Sequence, residues 1–173
     1  LGKRNDVYCA SIEHKLGIKA SPTCVLLFGD DKGEVGPGAI GYLVGEENQG
    51  MRAMFTMMNS ARIAVGIQGV ALGDAAYQKA LAYSQERRQG REIGGDSKEP
   101  AFIVAHPDVR RMLLYMRSHV EAMRSLVVYN AVAIDLSRAL EGDEAEMWRE
   151  IAELLTPITK AWCTDVGVEI TST

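Results

Sequence analysis

The stretch GMRAMFTMMNSARIAVGIQGVALGDAAYQKALAYSQERR, residues 50–88, decides the fold. Met51, Met54, Phe55 and Met58 recur at i, i+3, i+4 and i+7, the apolar stripe of an amphipathic helix. The pattern begins at Glu46 and runs through Arg62, Val65, Val70, Leu72, Ala76 and Leu81 to about Arg88. That is roughly 40 residues, or about 60 Å at 1.5 Å per residue. Residues 61–80 are apolar on most sides and hold Gly66, Gly69 and Gly73. Glycine costs helix propensity, so three of them predict close helix packing, ahead of close approach of a ligand.

Moving towards the C-terminus, residues 89–105 are a loop rich in glycine and charge, and His106-Pro107-Asp108 opens a second helix, with proline suited to its first turn. Val109, Met112, Leu113, Met116, Val120, Met123, Val127 and Ile134 form its stripe, and Glu141-Gly142 ends it, with glycine as the stop. Asp143 with Glu146 three residues on is an acidic variant of the capping box and starts a third helix. Its apolar face is Met147, Ile151, Leu154, Leu155, Ile158 and Trp162, and Pro157 must kink it or reorganise one turn.

The first 45 residues differ in texture. Val7–Ile12 and Cys24–Phe28 are short β-type runs, residues 29–38 carry turn chemistry, and residues 39–44 are a further strand candidate. So few strands cannot bury both faces of a sheet unaided, so residues 1–45 read as the end of a β-domain. Residues 46–173 read as a helical domain. The fold class is mainly α: three antiparallel helices of an incomplete four-helix bundle, preceded by a few β-strands.

Composition excludes several functions. With 47% hydrophobic residues the chain can build a core, and a disordered chain is ruled out. Nineteen Lys+Arg against 23 Asp+Glu, a net charge of −4, argue against nucleic acid as a partner. No apolar run approaches the ~20 residues of a membrane span. Cys9, Cys24 and Cys163 are widely spaced and odd in number, and read as reduced thiols of a cytoplasmic protein, with no disulfide framework or metal site. The chain begins on Leu1 and stops at Thr173 without a polar tail, which points to part of something longer.

GxSxG, HExxH, a Walker loop and GxGxxG at a strand-to-helix turn are all absent. His14, His106 and His119 are scattered and suit surface or capping roles, and the eight methionines suit core packing. Two features stand out. Arg87, Arg88 and Arg91 in QERRQGRE either complement a helix C-terminus or clamp a phosphate. Arg62, in the apolar stretch MMNSARIAVG with Asn59 three residues before it, needs an internal ion pair or an anionic ligand.

EHKLGIKASPTCVLLFGD, YLVGEENQGMRAMFTMMNSARIAVGIQG and ALAYSQERRQGR resemble consecutive blocks of the acyl-CoA dehydrogenase family. The likeness is greatest to its large bacterial branch of long-chain and methylmercaptopropionyl-CoA dehydrogenases, and HPDVRRMLLYMRSHVEAMRSL continues it. The resemblance implies the tail of the family's middle β-domain followed by the first three helices of its C-terminal bundle. It implies oxidation of an acyl-CoA to the trans-2-enoyl-CoA with FAD as hydride acceptor, an electron-transfer flavoprotein as partner, and a homo-oligomer, dimer or tetramer. Arg62 matches the family arginine near the CoA-thioester end of the substrate, with Asn59 beside it. Arg87 matches the arginine of the family pattern ER-x-x-FG, which contacts FAD phosphates. Here the aromatic of that pattern is missing, and Arg88 and Arg91 stand as further phosphate contacts. The family's catalytic glutamate lies in a Gly-rich segment after the third bundle helix, so the resemblance implies no catalytic residue in this chain and none is assigned to Glu169. Two alternatives remain: an acyl-CoA oxidase-like flavoprotein, or a non-catalytic helical-bundle interaction module whose first helix is an oligomer interface.

Overall fold

Both β-type runs form strands where the sequence sets them. β1 (Val7–Ile12) and β2 (Cys24–Phe28) pair antiparallel, Val7 opposite Phe28 and Ile12 opposite Cys24, with a bulge between Cys9 and Ser11. The computed structural model describes residues 2–173 and divides the chain into two units, Leu1–Met51 and Arg52–Thr173.

In the first unit the strand candidate at residues 39–44 does not form. Side chains hold this part of the chain where a ladder would. Asn5 grips Ile40 twice, donating from Nδ2 to its carbonyl at 2.7 Å and accepting its N–H at Oδ1 at 2.9 Å. The buried Asp6 carboxylate accepts the N–H groups of Asp31 at 2.6 Å and Lys32 at 3.1 Å, which fixes the glycine-rich turn. Charge-assisted bonds of this kind are among the stronger ones available to a loop. The sheet therefore has two strands, and the side chains of β2 are exposed throughout.

Helix α1 (Gly50–Glu86) begins four residues later than the periodicity suggests, because Asn48 adopts a left-handed φ of 65° that a helix cannot include. A loop containing one 3₁₀ turn, Ile103–Ala105, leads to α2 (Pro107–Ala139). Only Leu140 and Glu141 separate α2 from α3 (Gly142–Ser172). Gly142 is thus the first residue of α3 and not the stop of α2, and its φ of 66° makes this tight reversal possible. The acidic capping box is not formed: the N-cap of α3 is Glu141, without a side-chain cap bond, and Glu146 pairs with Arg149.

The second unit runs up, down, up. Arg124 of α2 reaches Asp74 of α1 at 3.0 Å, and α2 lies antiparallel to α3, with Asn130 meeting Thr159 and Tyr115 meeting Glu169. α1 and α3 run parallel. A Cβ on Gly66 would touch Thr159 at 3.1 Å, and one on Gly73 would touch Ile170 at 3.2 Å. At Gly69 a Cβ would fall 2.1 Å from the Cys163 carbonyl oxygen. The glycines of α1 are therefore packing residues, as the sequence predicts. Val70, Met116, Val120, Met123, Val127, Cys163, Val166 and Ile170 form the core where the three helices meet.

The buried face of α3 differs from the one predicted. Met147, Leu154 and Ile158 are exposed, at 47%, 65% and 45%, while Ile151, Leu155 and Trp162 are half-buried. Ala145, Ala152, Thr156, Thr159, Cys163, Val166, Gly167 and Ile170 are buried. They too step by threes and fours, but most are small, as the close approach of α1 requires. Two are hydroxyl residues, and Thr156 offsets the cost by donating to its own helix at the Ala152 carbonyl, 2.7 Å away. On α1, Met51, Met54 and Phe55 of the stripe that opens the helix are likewise exposed, as are Met57 and Leu72, while Met58 is half-buried. α3 passes through Pro157 as one helix. The proline N lacks a proton for the Glu153 carbonyl, and both residues are exposed, so water can serve that oxygen.

Candidate functional site

Arg62 is half-buried on α1, with its guanidinium carbon 5.6 Å from the Phe55 ring centroid. Among the described residues it forms no ion pair. Of its two sequence-level options, the internal carboxylate is not present, and its donors are left to solvent or to an anion. Asn59 is exposed and lines a depression of about 350 Å³ with Thr56, Ser60, Ser137, Arg138 and Thr156. Arg62 is not among the residues lining that depression, so the two do not share one cavity.

The three arginines after α1 separate into two kinds. Arg88 is committed. It lies 4.0 Å over the Phe102 ring, donates from Nη1 to the Pro100 carbonyl at 3.1 Å, and bridges Phe102 through the backbone. Cation–π stacking and a carbonyl bond together staple the loop to its own end. Arg87 is exposed and makes one long side-chain bond, 3.5 Å to Gln89 Oε1, while its backbone carbonyl accepts the Ile103 N–H at 2.9 Å. Arg91 is exposed and has no side-chain partner among the described residues. Arg87 directly follows the last residue of α1 and its N–H donates to the Tyr83 carbonyl at 2.9 Å, so its charge also complements the helix C-terminus, whereas Arg88 and Arg91 lie beyond it. Two exposed guanidinium groups four residues apart on an anchored loop are a donor set that fits a phosphate or pyrophosphate.

Four other polar residues are engaged within the fold. His106 is the N-cap of α2, and its Nε2 donates to the Gln89 carbonyl at 2.7 Å. His119 Nδ1 donates to the Tyr115 carbonyl at 2.8 Å. Tyr115 Oη donates to Glu169 Oε2 at 2.8 Å, and that bond, with partial desolvation and the carboxylate charge, raises the tyrosine pKa. Glu169 is thus a partner of Tyr115 on the helix surface. No group of three or more His, Cys, Asp or Glu is arranged to hold a metal among the described residues.

Two features escaped the sequence reading. Phe102 anchors Arg88 from a loop without periodicity. Asn130 is fully buried, donating from Nδ2 to Thr159 at 3.1 Å and Thr156 at 3.5 Å, with Oδ1 lacking a partner. Its only sequence signal is an asparagine at a stripe position between Val127 and Ala133.

Three long helices in up-down-up order, with small residues at their contacts and a basic loop after the first, define a helical-bundle domain. The family model described as acyl-CoA dehydrogenase, C-terminal domain, matches residues 48–173, and the chain belongs to the acyl-CoA dehydrogenase family. It is 45% identical over 170 residues to 3-methylmercaptopropionyl-CoA dehydrogenase of Ruegeria pomeroyi, covering 98% of this chain and 28% of that protein. It is 39% identical to a butyryl-CoA dehydrogenase of Syntrophomonas wolfei, covering 96% of this chain and 28% of the relative. A broad-specificity linear acyl-CoA dehydrogenase of Mycobacterium tuberculosis is 35% identical over 92% of the chain and 26% of its own length. The chain thus spans little more than a quarter of these relatives. The solved structure of butyryl-CoA dehydrogenase from Megasphaera elsdenii shares the fold, with a TM-score of 0.62 at 23% identity over 95% of this chain and 38% of its own. No described helix is long and apolar enough to cross a membrane.

Proposed function

We propose that this chain is the part of an FAD-dependent acyl-CoA dehydrogenase that joins the end of the middle β-domain, residues 1–45, to the first three helices of the C-terminal domain, residues 46–173. The observation that carries this reading is the 45% identity to a dehydrogenase acting on an acyl-CoA, sustained over 98% of the chain. Bound FAD would supply the acceptor for the β-hydride of the acyl-CoA, and an electron-transfer flavoprotein would take the electrons on. Arg87 and Arg91 hold the pyrophosphate. Arg88 holds the loop that carries them, which replaces the phosphate contact expected of it. Arg62 serves the thioester end of the substrate, since its charge has no carboxylate partner among the described residues, and Asn59 contributes a neighbouring polar contact on α1. The base that removes the α-proton comes from chain outside these residues, and the whole enzyme is a cytoplasmic homo-oligomer.

The test is made on the longer protein. It should purify with flavin absorbance and reduce a dye when given acyl-CoA. Arg87→Ala should weaken FAD retention at least tenfold, because a bidentate guanidinium–phosphate contact is worth about 1.5–3 kcal/mol. Peroxide formation in place of dye reduction would assign an oxidase. A longer protein that never binds FAD would leave a bundle without this chemistry.

A further inference from the structure

β1 and β2 each carry one thiol, and the register makes them neighbours. Cys9 stands opposite Leu26, and Cys24 stands opposite Ile12. Leu26 and Cys24 are two residues apart on one strand and so share a face. Cys9, paired with Leu26, lies on that face too, which makes the two cysteines a diagonal cross-strand pair. In a regular ladder such a pair has Cβ atoms up to about 7–8 Å apart, whereas a disulfide needs about 3.8 Å. This ladder is not regular here. The bulge between Cys9 and Ser11 bends β1 and increases its twist beside Cys9.

The bulge thus lies between the two thiols on their shared face, and Cys9 Sγ donates to the Ser11 carbonyl at 3.3 Å. Both residues are exposed, whereas Cys163 is fully buried in the bundle core. Partial desolvation, followed by the hydrogen bond and charge of Cys9, raises the Cys24 pKa above the ordinary thiol value. Cys24 therefore keeps its proton longer than an ordinary thiol.

We propose that Cys9 and Cys24 are an oxidisable dithiol, converted by a peroxide into an intrachain disulfide that ties together the ends of the connection at residues 10–23. The thiolate of one cysteine attacks one peroxide oxygen, the O–O bond breaks, and that cysteine becomes a sulfenic acid with release of one water. The thiolate of the other then attacks this sulfur, the S–O bond breaks, and a second water leaves. Two thiols lose two electrons and two protons, and hydrogen peroxide becomes two waters. This site is independent of the arginines assigned above.

The connection contains Lys15 and Lys19, so tryptic digestion reads the cross-link directly. After treatment with hydrogen peroxide, titratable thiols in the unfolded chain should fall from three to one. Tryptic peptides carrying Cys9 and Cys24 should remain joined until a reductant separates them. Cys163→Ser should leave the link intact, and Cys9→Ser or Cys24→Ser should abolish it. Phenylarsine oxide, which needs two adjacent thiols, should bind the reduced chain once and protect it from peroxide. Independent oxidation of each cysteine to sulfinic acid, or links formed only between chains in proportion to concentration, would overturn the proposal.

Discussion

Alanine at Gly69 and alanine at Gly73 should have opposite consequences, although both sit on the same helix one turn apart. At Gly69 the new Cβ would lie 2.1 Å from the Cys163 carbonyl oxygen and 2.7 Å from its carbon, both backbone atoms. At Gly73 the nearest atoms are side-chain ends, Ile170 Cδ1 at 3.2 Å and Met123 Cε at 3.5 Å. Each substitution gains about 1 kcal/mol of helix propensity. At Gly73 the neighbours can shift by a few tenths of an ångström, so that gain should survive, and stability should equal or exceed the wild type by up to about 1 kcal/mol. At Gly69 ordinary contact requires α1 and α3 to part locally by about 1.3 Å, and a gap of 0.5–1 Å already forfeits a quarter to a half of each dispersion contact. That loss extends to Gly167, whose own Cβ would meet the Gly69 Cα at 3.1 Å. Overpacking of about 1–3 kcal/mol plus the lost contacts outweighs the helix gain, leaving roughly 2–4 kcal/mol of destabilisation. Urea titration followed by far-UV circular dichroism measures both, and Tm should fall by roughly 5–15 °C for Gly69→Ala. A Gly69→Ala chain as stable as wild type, or a Gly73→Ala chain less stable than it, would refute the close parallel packing of α1 on α3.

Three further outcomes follow from buried groups and from the loop. Asn130→Leu should cost no more than about 1.5 kcal/mol, since it removes the unpartnered Oδ1 at similar volume, whereas Asn130→Asp should cost at least about 3 kcal/mol at pH 7. That aspartate's folded pKa would be raised by burial, so denaturation of the variant at pH 4 and pH 7 should show stability lost as pH rises. Burial pushes the Cys163 thiol above its ordinary value of 9.0, so the unfolded chain ionises first. Stability from the neutral thiol is complete below pH 9 and lost above it, and the advantage of wild type over Cys163→Ala should narrow as pH rises above 9 in paired urea titrations. Arg88→Ala removes the Phe102 stack and the Pro100 bond, so trypsin should cut after Lys98 several-fold faster with little change in global stability.

The helices were legible because their signal is periodic and long. α1 and α2 form close to where the stripes of methionine, valine and leucine begin and end, and β1 and β2 form where β-branched runs sit between turn residues. Periodicity misled on α3, where two stripes compete. The stripe of large residues, Met147, Leu154 and Ile158, outweighs on any hydropathy scale the stripe of Ala152, Thr156, Thr159 and Cys163 that is buried. What decides between them is the partner. Glycines at 66 and 69 bring the α1 backbone against α3, and only small side chains fit beneath it. That coupling between two helices some ninety residues apart leaves no trace in either stripe alone. Exposed apolar residues on α3 are joined by Val128, Tyr129 and Val132 on α2.

The candidate site shows the same division between type and placement. Sequence could say that three arginines in QERRQGRE invite phosphate, because residue type and clustering are local properties. Which of them is available depends on a contact across the loop. Phe102 lies fourteen positions after Arg88, in a segment with no periodic marker, and it occupies the guanidinium face while the Pro100 carbonyl takes a donor. His106 closes the same loop from the other side through the Gln89 carbonyl. Held at 88–102 and at 89–106, the segment presents Arg87 and Arg91 on an anchored frame, and a preorganised donor set loses less entropy on meeting an anion than a free one. On the proposed reading, Arg88 acts on phosphate affinity through position. Its replacement by lysine, which cannot stack a planar guanidinium on Phe102, should weaken FAD retention in the longer protein even though the charge is kept.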